Sequence, residues 1–387
     1  MNISRLTAII LNEVDILEYL QTYYNLDFKL CGNTYQTNCP INMHDSKSPS
    51  FSIPINEQYF KCFGCDAKGN VINFVEQYHN FSREDSISKI CADLNISIQD
   101  SVKDKAFNEF ISKNKDTCKQ YITNLTKDKD AISYLLEDRM LTLDTIKNFK
   151  LGASGDSWNK EFSDRITFPI QCNHSSNILA FAFGYIKSKD NYNAKYINSK
   201  NNDYFIKSNL FYGYSQALSE IRKTKEVYIV EGYFDVISMH QSNLRNTMGI
   251  MCANISDEQM NTLKRLSAKV NLLLDNDEAG NSSMKKIIPK LLENGIQVQV
   301  ITIPGVKDPD ELCKKYNFIE YKIREVIEIN TTDGVIFFIK DDIEKYNNNV
   351  LNMKKSIIKK IMPIIQLLPE SYERKIYEEH INNLLKI

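Results

Sequence analysis

Acidic residues recur along this chain in a pattern suited to metal-assisted phosphoryl chemistry. Glu231 opens Glu231-Gly232-Tyr233-Phe234-Asp235, Asp275 and Asp277 alternate in Asp275-Asn276-Asp277-Glu278-Ala279-Gly280, and a proline separates two acids in Lys307-Asp308-Pro309-Asp310-Glu311. Carboxylates gathered in one site resist joint ionisation unless a cation offsets them. A hard divalent ion does so, and magnesium takes a few carboxylates together with substrate phosphates. The expected centre is a magnesium or manganese site at Glu231, Asp275, Asp277 and Asp310, with Glu231 either a further ligand or a general base. An acid after a strand also caps the helix that follows, as Asp257 is expected to do for 258–266. For a single acid either role serves; the ordered set is what points to metal.

A second constellation is built on sulfur. Cys62-Phe63-Gly64-Cys65 places two thiolates on a tight turn, and Cys39 and His44 complete a tetrahedral zinc set from an earlier turn. Cys31 and His79 are the alternatives to His44 as fourth ligand. A redox reading of Cys-x-x-Cys needs a thioredoxin-like strand–helix setting, which the flanking sequence lacks. Nine cysteines in a chain with no secretory signal argue against a disulfide framework. Cys91, Cys118, Cys172, Cys252 and Cys313 read as core filler. Near the metal, Tyr59, Phe60, Lys61, Phe63 and Lys68 interleave rings with cations, a mixture that serves a small core and single-stranded DNA binding equally.

Elements must bring these groups together. The apolar, β-branched runs 227–230, 270–274 and 296–303 read as buried strands, each delivering acids at its end. In an open parallel sheet the loops at the carboxyl ends of strands line one crevice. Helical spacing marks 4–20, then a helix pair over 131–152 stopped by Gly152, and a C-terminal bundle from 316–329, 333–346, 350–368 and 370–385. The polar stretch 100–124 reads as a linker leading into helix, with a domain break near 103. The 387 residues suffice for two or three domains, and 25% charged and 42% apolar is an ordinary globular mix. A net charge of −1 means that any nucleic-acid surface must sort its cations onto one face. No run reaches the roughly 20 apolar residues of a membrane helix, so a cytoplasmic protein with no membrane partner is expected.

The acidic motifs resemble the Toprim signature of bacterial and phage DnaG-type primases. Cys39-Pro40 through Pro49-Ser50-Phe51 to Cys62-Phe63-Gly64-Cys65 resembles their zinc ribbon, although four residues separate Cys39 from His44 where the family has two. Asp164-Arg165-Ile166-Thr167-Phe168-Pro169-Ile170, Ala180 to Gly184, Lys195 to Ser199 and Ile206 to Gly213 resemble the opening of the family's polymerase domain. The resemblance implies a DNA-directed RNA polymerase that starts chains on single-stranded DNA from ribonucleoside triphosphates. The implied fold is mixed α/β: a zinc ribbon with a small sheet (1–103), a mixed α/β part (104–220), a Toprim parallel-sheet core (221–315) and a helical subdomain (316–387). It implies that Arg165, Lys195 and Lys207 carry the basic side of the site, with Lys195 among the catalytic residues. Asp235 and Asp308 support the acids. Tyr185 stands where the family has an arginine, and Lys187 is the nearest cation; Lys61 joins the nucleic-acid-binding set from the ribbon. The family's partner is a replicative helicase, bound through a third domain that this sequence does not contain, so a fragment or a naturally short primase is expected. Toprim acids also serve nucleases and topoisomerases, and a non-catalytic zinc-ribbon module that binds single-stranded DNA is the remaining alternative.

Overall fold

The computed structural model describes residues 3–41, 49–55, 57–94, 101–156, 160–173, 177–186, 195–266, 268–339, 351–368 and 370–385. Contacts divide the chain into two units, Met1–Lys113 with Cys172–Asn177, and Asn114–Gln171 with Ile178–Ile387.

In the first unit, helices α1 (Ile3–Glu13) and α2 (Ile16–Tyr24) replace the single helix expected over 4–20. The break falls at Asp15, whose carboxylate accepts from the Glu18 amide at 2.9 Å and so caps α2. Five short strands follow: β1 (Lys29–Cys31), β2 (Thr34–Thr37), β3 (Phe51–Pro54), β4 (Phe60–Cys62) and β5 (Lys68–Gly69). They pair antiparallel in sequence order, with Phe51 opposite Cys62. Helices α3 (Val71–His79) and α4 (Arg83–Asp93) complete the unit. Phe51 and Phe60 stack at 4.9 Å, and Phe74 of α3 meets both edge-on. Alternation puts these rings inside while Tyr59 and Phe63 stay out, at 40% and 71% exposure.

The expected linker is instead helix α5 (Ser101–Lys127), within which the division between units falls. Its high charge solvates the outer face while Cys118 and Leu125 face inward. After α6 (Lys129–Ser133), a π-helical turn, Tyr134–Asp138, precedes α7 (Leu143–Asn148). Gly152 does not stop a helix. It lies in β6 (Gly152–Ala153), paired with Thr167, where a Cβ would stand 2.6 Å from the Tyr121 carbonyl carbon. Strands β7 (Arg165–Gln171), β8 (Ile178–Tyr185) and β9 (Tyr196–Asn198) extend this antiparallel sheet.

Helix α8 (Tyr214–Thr224) leads into the second sheet of this unit, formed by β10 (Glu226–Val230), α9 (Tyr233–Gln241), β11 (Thr247–Gly249), α10 (Asp257–Leu266), β12 (Lys269–Leu272), α11 (Glu278–Glu293) and β13 (Val298–Ile301). Helices α12 (Pro309–Lys315) and α13 (Glu320–Ile329) then return the chain to a last strand, β14 (Thr331–Asp333). The strand order is β11-β10-β12-β13-β14, parallel except for β14, which runs antiparallel to β13. The apolar runs of β10, β12 and β13 suit strands covered on both faces. The helix expected over 333–346 starts instead after an edge strand over 331–333, which no apolar run announces. Of the C-terminal bundle, α14 (Gly334–Phe337) and the helices Leu351–Ile365 and Ser371–Leu385 are described; 340–350 lie outside the described residues.

Order reverses between β10 and β12, since β10 has the earlier-connected β11 on one side and β12 on the other. Such a switch point opens a crevice beyond the strand ends. Gly280 in the first turn of α11 permits the tight return there: a Cβ at this position would stand 2.0 Å from the Asp275 carbonyl oxygen. Gly280→Ala is therefore expected to force α11 away from Asp275 and to cost about 1–3 kcal/mol of stability. Urea denaturation checks this, and an unchanged midpoint would show that the helix start yields freely.

Candidate active site

Beyond the switch point lies a cleft of about 350 Å³ walled by Glu231, Asp235, Asp275, Asp308 and Asp310, with Arg139, Lys195 and Tyr196 beside them. Glu231 follows β10, Asp275 follows β12, and Asp308 and Asp310 lie where the β13 loop enters α12. Asp277 is absent from the wall, but its charge reaches Glu231 and Asp275. Its Oδ1 accepts from the Gly280 amide at 2.8 Å and caps α11. Asp308 caps α12 in the same manner, accepting from Glu311 at 2.9 Å. Capping is thus a present role for both. Asp257, by contrast, is no cap: Ser256 accepts from the Gln259 amide at 3.1 Å, and Gln259 Oε1 accepts from the Ser256 amide at 3.1 Å, a box that leaves Asp257 in the first turn.

The acids perturb one another. Burial, then Asp275 and Asp277, push the Glu231 carboxyl up to about 7. Burial, then Asp308, Asp275 and Asp310, push Asp235 up to about 8. Asp275 is raised by burial, Asp308 and Asp277, against the pull of Lys195 and Lys307. Glu231 Oε1 is buried with no hydrogen-bond partner among the described residues. An orphaned carboxylate oxygen in a cleft of mutually repelling acids fits a divalent cation, which would meet both needs. The acids share the cleft without closing on one point: among the described residues only Cys39, Cys62 and Cys65 bring three such ligand atoms within 4.8 Å of one another.

These shifts have a consequence for stability. A carboxyl raised in the folded state contributes fully below its unfolded value and loses that contribution as pH rises through the folded one. The melting temperature of metal-free protein is expected to fall between pH 5 and pH 8, as Glu231 and Asp235 pass about 7 and about 8. Each kcal/mol corresponds to roughly 2–4 °C for a unit of this size. Millimolar magnesium should restore most at the alkaline end. Calorimetry across pH with and without magnesium checks both the fall and the recovery.

Among the basic residues, Lys195 stands in the cleft wall as expected. Arg165 does not. It is 1% exposed, and its Nε and Nη1 donate to the carbonyls of Glu161 (2.9 Å) and Phe183 (3.4 Å). Its place at the start of β7, opposite Tyr185, leaves it buried in the sheet. Lys207 sits half-buried in a 3-10 turn, Lys207–Asn209, outside the cleft wall. Lys187 lies outside the described residues. Sequence reasoning missed Arg139, Lys314 and Ser238, all of which hold Asp310. Cys252, read as filler, lines the cleft half-buried.

In the first unit, Cys39 Sγ and Cys65 Sγ stand 3.7 Å apart. Zinc–sulfur bonds of about 2.3 Å at tetrahedral angles require about 3.8 Å between sulfurs, so the spacing fits. The Gly64 amide donates to Cys62 Sγ at 3.3 Å, as suits a thiolate. His44 lies outside the described residues. Cys31 is exposed on β1, and His79 Nε2 is 3.0 Å from the Tyr24 hydroxyl; neither joins the sulfur cluster. Lys61 Nζ lies 5.1 Å from the centroid of the exposed Phe63 ring.

Comparison with known proteins agrees with this architecture. Residues 3–106 match the CHC2 zinc finger, 159–218 the N-terminal domain of the DNA primase catalytic core, and 228–313 a Toprim-like domain. The DNA primase of Clostridium acetobutylicum is 29% identical over 367 residues, spanning 81% of this chain and 60% of that protein. That of Thermotoga maritima is 26% identical over 404 residues, spanning 96% of this chain and 69% of its own length. The chain thus spans about two thirds or less of the length of such relatives. Among solved structures, the zinc-binding and RNA polymerase domains of Aquifex aeolicus primase superpose with a TM-score of 0.63 at 24% identity, covering 100% of this chain and 97% of that one. A DnaG primase catalytic domain bound to single-stranded DNA covers 72% of this chain and 97% of its own, with a TM-score of 0.60 at 20% identity. No helix among the described residues is long and apolar enough to cross a membrane. A CHC2 zinc ribbon, a primase catalytic-core domain and a Toprim-like domain thus follow one another in this single chain, the set of domains that its DNA primase relatives and the solved primase structures lead one to compare it with.

Proposed function

We propose that the protein makes short RNA primers on single-stranded DNA, joining ribonucleoside triphosphates by metal-dependent nucleotidyl transfer. The carrying observation is the convergence of Glu231 and Asp275 at the strand-order reversal, in one cleft with Lys195, while a buried Glu231 oxygen stays unpartnered. Glu231, Asp275, Asp277 and Asp310, with Asp235 and Asp308 in support, would hold magnesium or manganese, which when bound would supply charge to stabilise displacement at phosphorus. Lys195 acts as a point charge for phosphate. Glu231, with a carboxyl near neutrality, is suited to accept the proton of an attacking 3′-hydroxyl as well as to ligate.

In the first unit, zinc held by Cys39, Cys62, Cys65 and His44 would fix the turn that displays Phe63 and Lys61. An exposed ring paired with a cation is what sequence-tolerant binding of single strands uses. Primase relatives, and the similar DnaG domain solved with single-stranded DNA, support the choice of template. The reading puts the protein in the cytoplasm with template and nucleotides. The test is to incubate the purified chain with single-stranded DNA and labelled ribonucleotides. Primers should form with magnesium or manganese and stop with a chelator. Relaxation or nicking of supercoiled DNA without any primer would assign nuclease or topoisomerase chemistry instead.

A further inference from the structure

Arg139 precedes Asp310 by 171 residues, yet its Nη1 donates to Asp310 Oδ2 at 2.7 Å. It directly follows the π-helical turn Tyr134–Asp138, and its amide donates to the Tyr134 carbonyl at 2.9 Å. Such turns add a residue to a helical path and often mark functional sites. The side chain is pinned on several sides. Nε donates to the Tyr134 hydroxyl at 2.8 Å, and the guanidinium carbon lies 4.0 Å from the Phe234 ring centroid and 5.3 Å from that of Tyr134. Only 19% of the side chain is exposed.

Asp310 is held with equal completeness. Lys314 Nζ donates to the same Oδ2 at 2.8 Å, and the Ser238 hydroxyl donates to Oδ1 at 2.5 Å. The Asp310 amide donates to Asp235 Oδ1 at 3.2 Å. A planar guanidinium locked by a hydroxyl and two rings keeps little freedom, so it fixes whatever it bonds. A surface ion pair has no such scaffold and orders little.

We infer that Arg139 is a positioning residue: it sets the orientation of Asp310, so that this carboxylate meets an incoming divalent ion in one fixed geometry. The inference rests on the proposed metal site and extends it to a residue outside the acidic motifs. Partners that orient metal ligands typically control metal affinity by about 10–100-fold. The competing role is charge balance alone. An arginine acting only as a cation opposes metal entry, and its removal tightens binding.

The experiment titrates the zinc-loaded full chain with manganese and follows free Mn²⁺ by electron paramagnetic resonance, with no nucleotide or DNA present. Arg139→Met is expected to weaken binding by about 10–100-fold. Arg139→Lys, which keeps charge but loses the planar fork, should retain most of that loss. Tyr134→Phe should weaken binding less, in the same direction. In an Asp310→Asn background, neither Arg139→Met nor Tyr134→Phe should weaken it further. Tighter binding by Arg139→Met, full recovery in Arg139→Lys, or losses that multiply in the double variants would each overturn the inference. If Arg139→Met does not fold, Tyr134→Phe and its Asp310→Asn double decide; parent-like affinity in Tyr134→Phe then sinks the inference. A parent chain that binds no manganese refutes the metal site itself. Primer synthesis that fails while the manganese results hold refutes only the proposed reaction.

Discussion

Replacing Asp275 by asparagine is expected to lower primer synthesis by about 10³-fold or more while leaving the fold intact. Metal-borne stabilisation of transition-state charge is worth several kcal/mol, and each 1.36 kcal/mol is a factor of about ten in rate. Asp275 is the cleanest acid to test. It lies in the cleft wall, in the loop after β12, and the cap of the helix that follows is Asp277. It is also the strongest charge pressing on Glu231, so its removal eases a repulsion in the metal-free protein. The metal-free variant should therefore melt no lower than the parent. Asp277→Asn is less decisive, because the Asp277 carboxylate also caps α11 and its loss costs stability. Rates of primer formation and melting curves for Asp275→Asn check both halves of the expectation. Parental primer synthesis would remove Asp275 from the reaction.

What the sequence disclosed depended on how local each signal was. The strands carrying the acids were legible because unbroken β-branched runs have few other uses, and the acids themselves stood in short motifs beside turn residues. The zinc turn was legible because Cys-x-x-Cys stood beside Cys39 and outside any thioredoxin-like strand–helix setting. Edge strand β14 was not, since three half-buried residues pairing with β13 offer no pattern of their own. Arg165 misled because its motif position marks a strand start, whereas its side-chain direction is set by the pleat and by carbonyls on two other segments. Gly152 looked like a helix stop because glycine serves both turns and close approaches, and only the packed Tyr121 backbone shows which applies. Arg139 was unreadable for a related reason. Its importance comes from a partner 171 residues away, and its direction from a π-helical turn that has no sequence signature.

Removal of zinc is expected to have the largest effect on stability, confined to the first unit. Structural zinc contributes about 10–16 kcal/mol of apparent binding energy in small zinc-binding peptides, and that energy appears as folding energy. In this unit the sulfurs end the same strand layer that carries the aromatic core: Cys62 is fully buried and pairs with Phe51, whose ring stacks on Phe60. Without a cation, thiolates 3.7 Å apart at Cys39 and Cys65 repel, and protonating them leaves sulfurs gathered for no purpose. Cys62→Ser and Cys65→Ser should each lose zinc from a one-per-chain stoichiometry and open strands β1 to β5 and helix α3 to amide hydrogen exchange. The sheet from β10 to β14 should stay protected, because the described residues of its core run from Phe211 to Leu385. Cys31→Ser should keep its zinc, since Cys31 lies outside the sulfur cluster. His44→Ala separates the remaining alternatives: weakened zinc binding with three sulfurs intact makes His44 the fourth ligand. Full retention by both Cys62→Ser and Cys65→Ser would remove the zinc centre, and strands β1 to β5 would then owe their order to the aromatic stack alone.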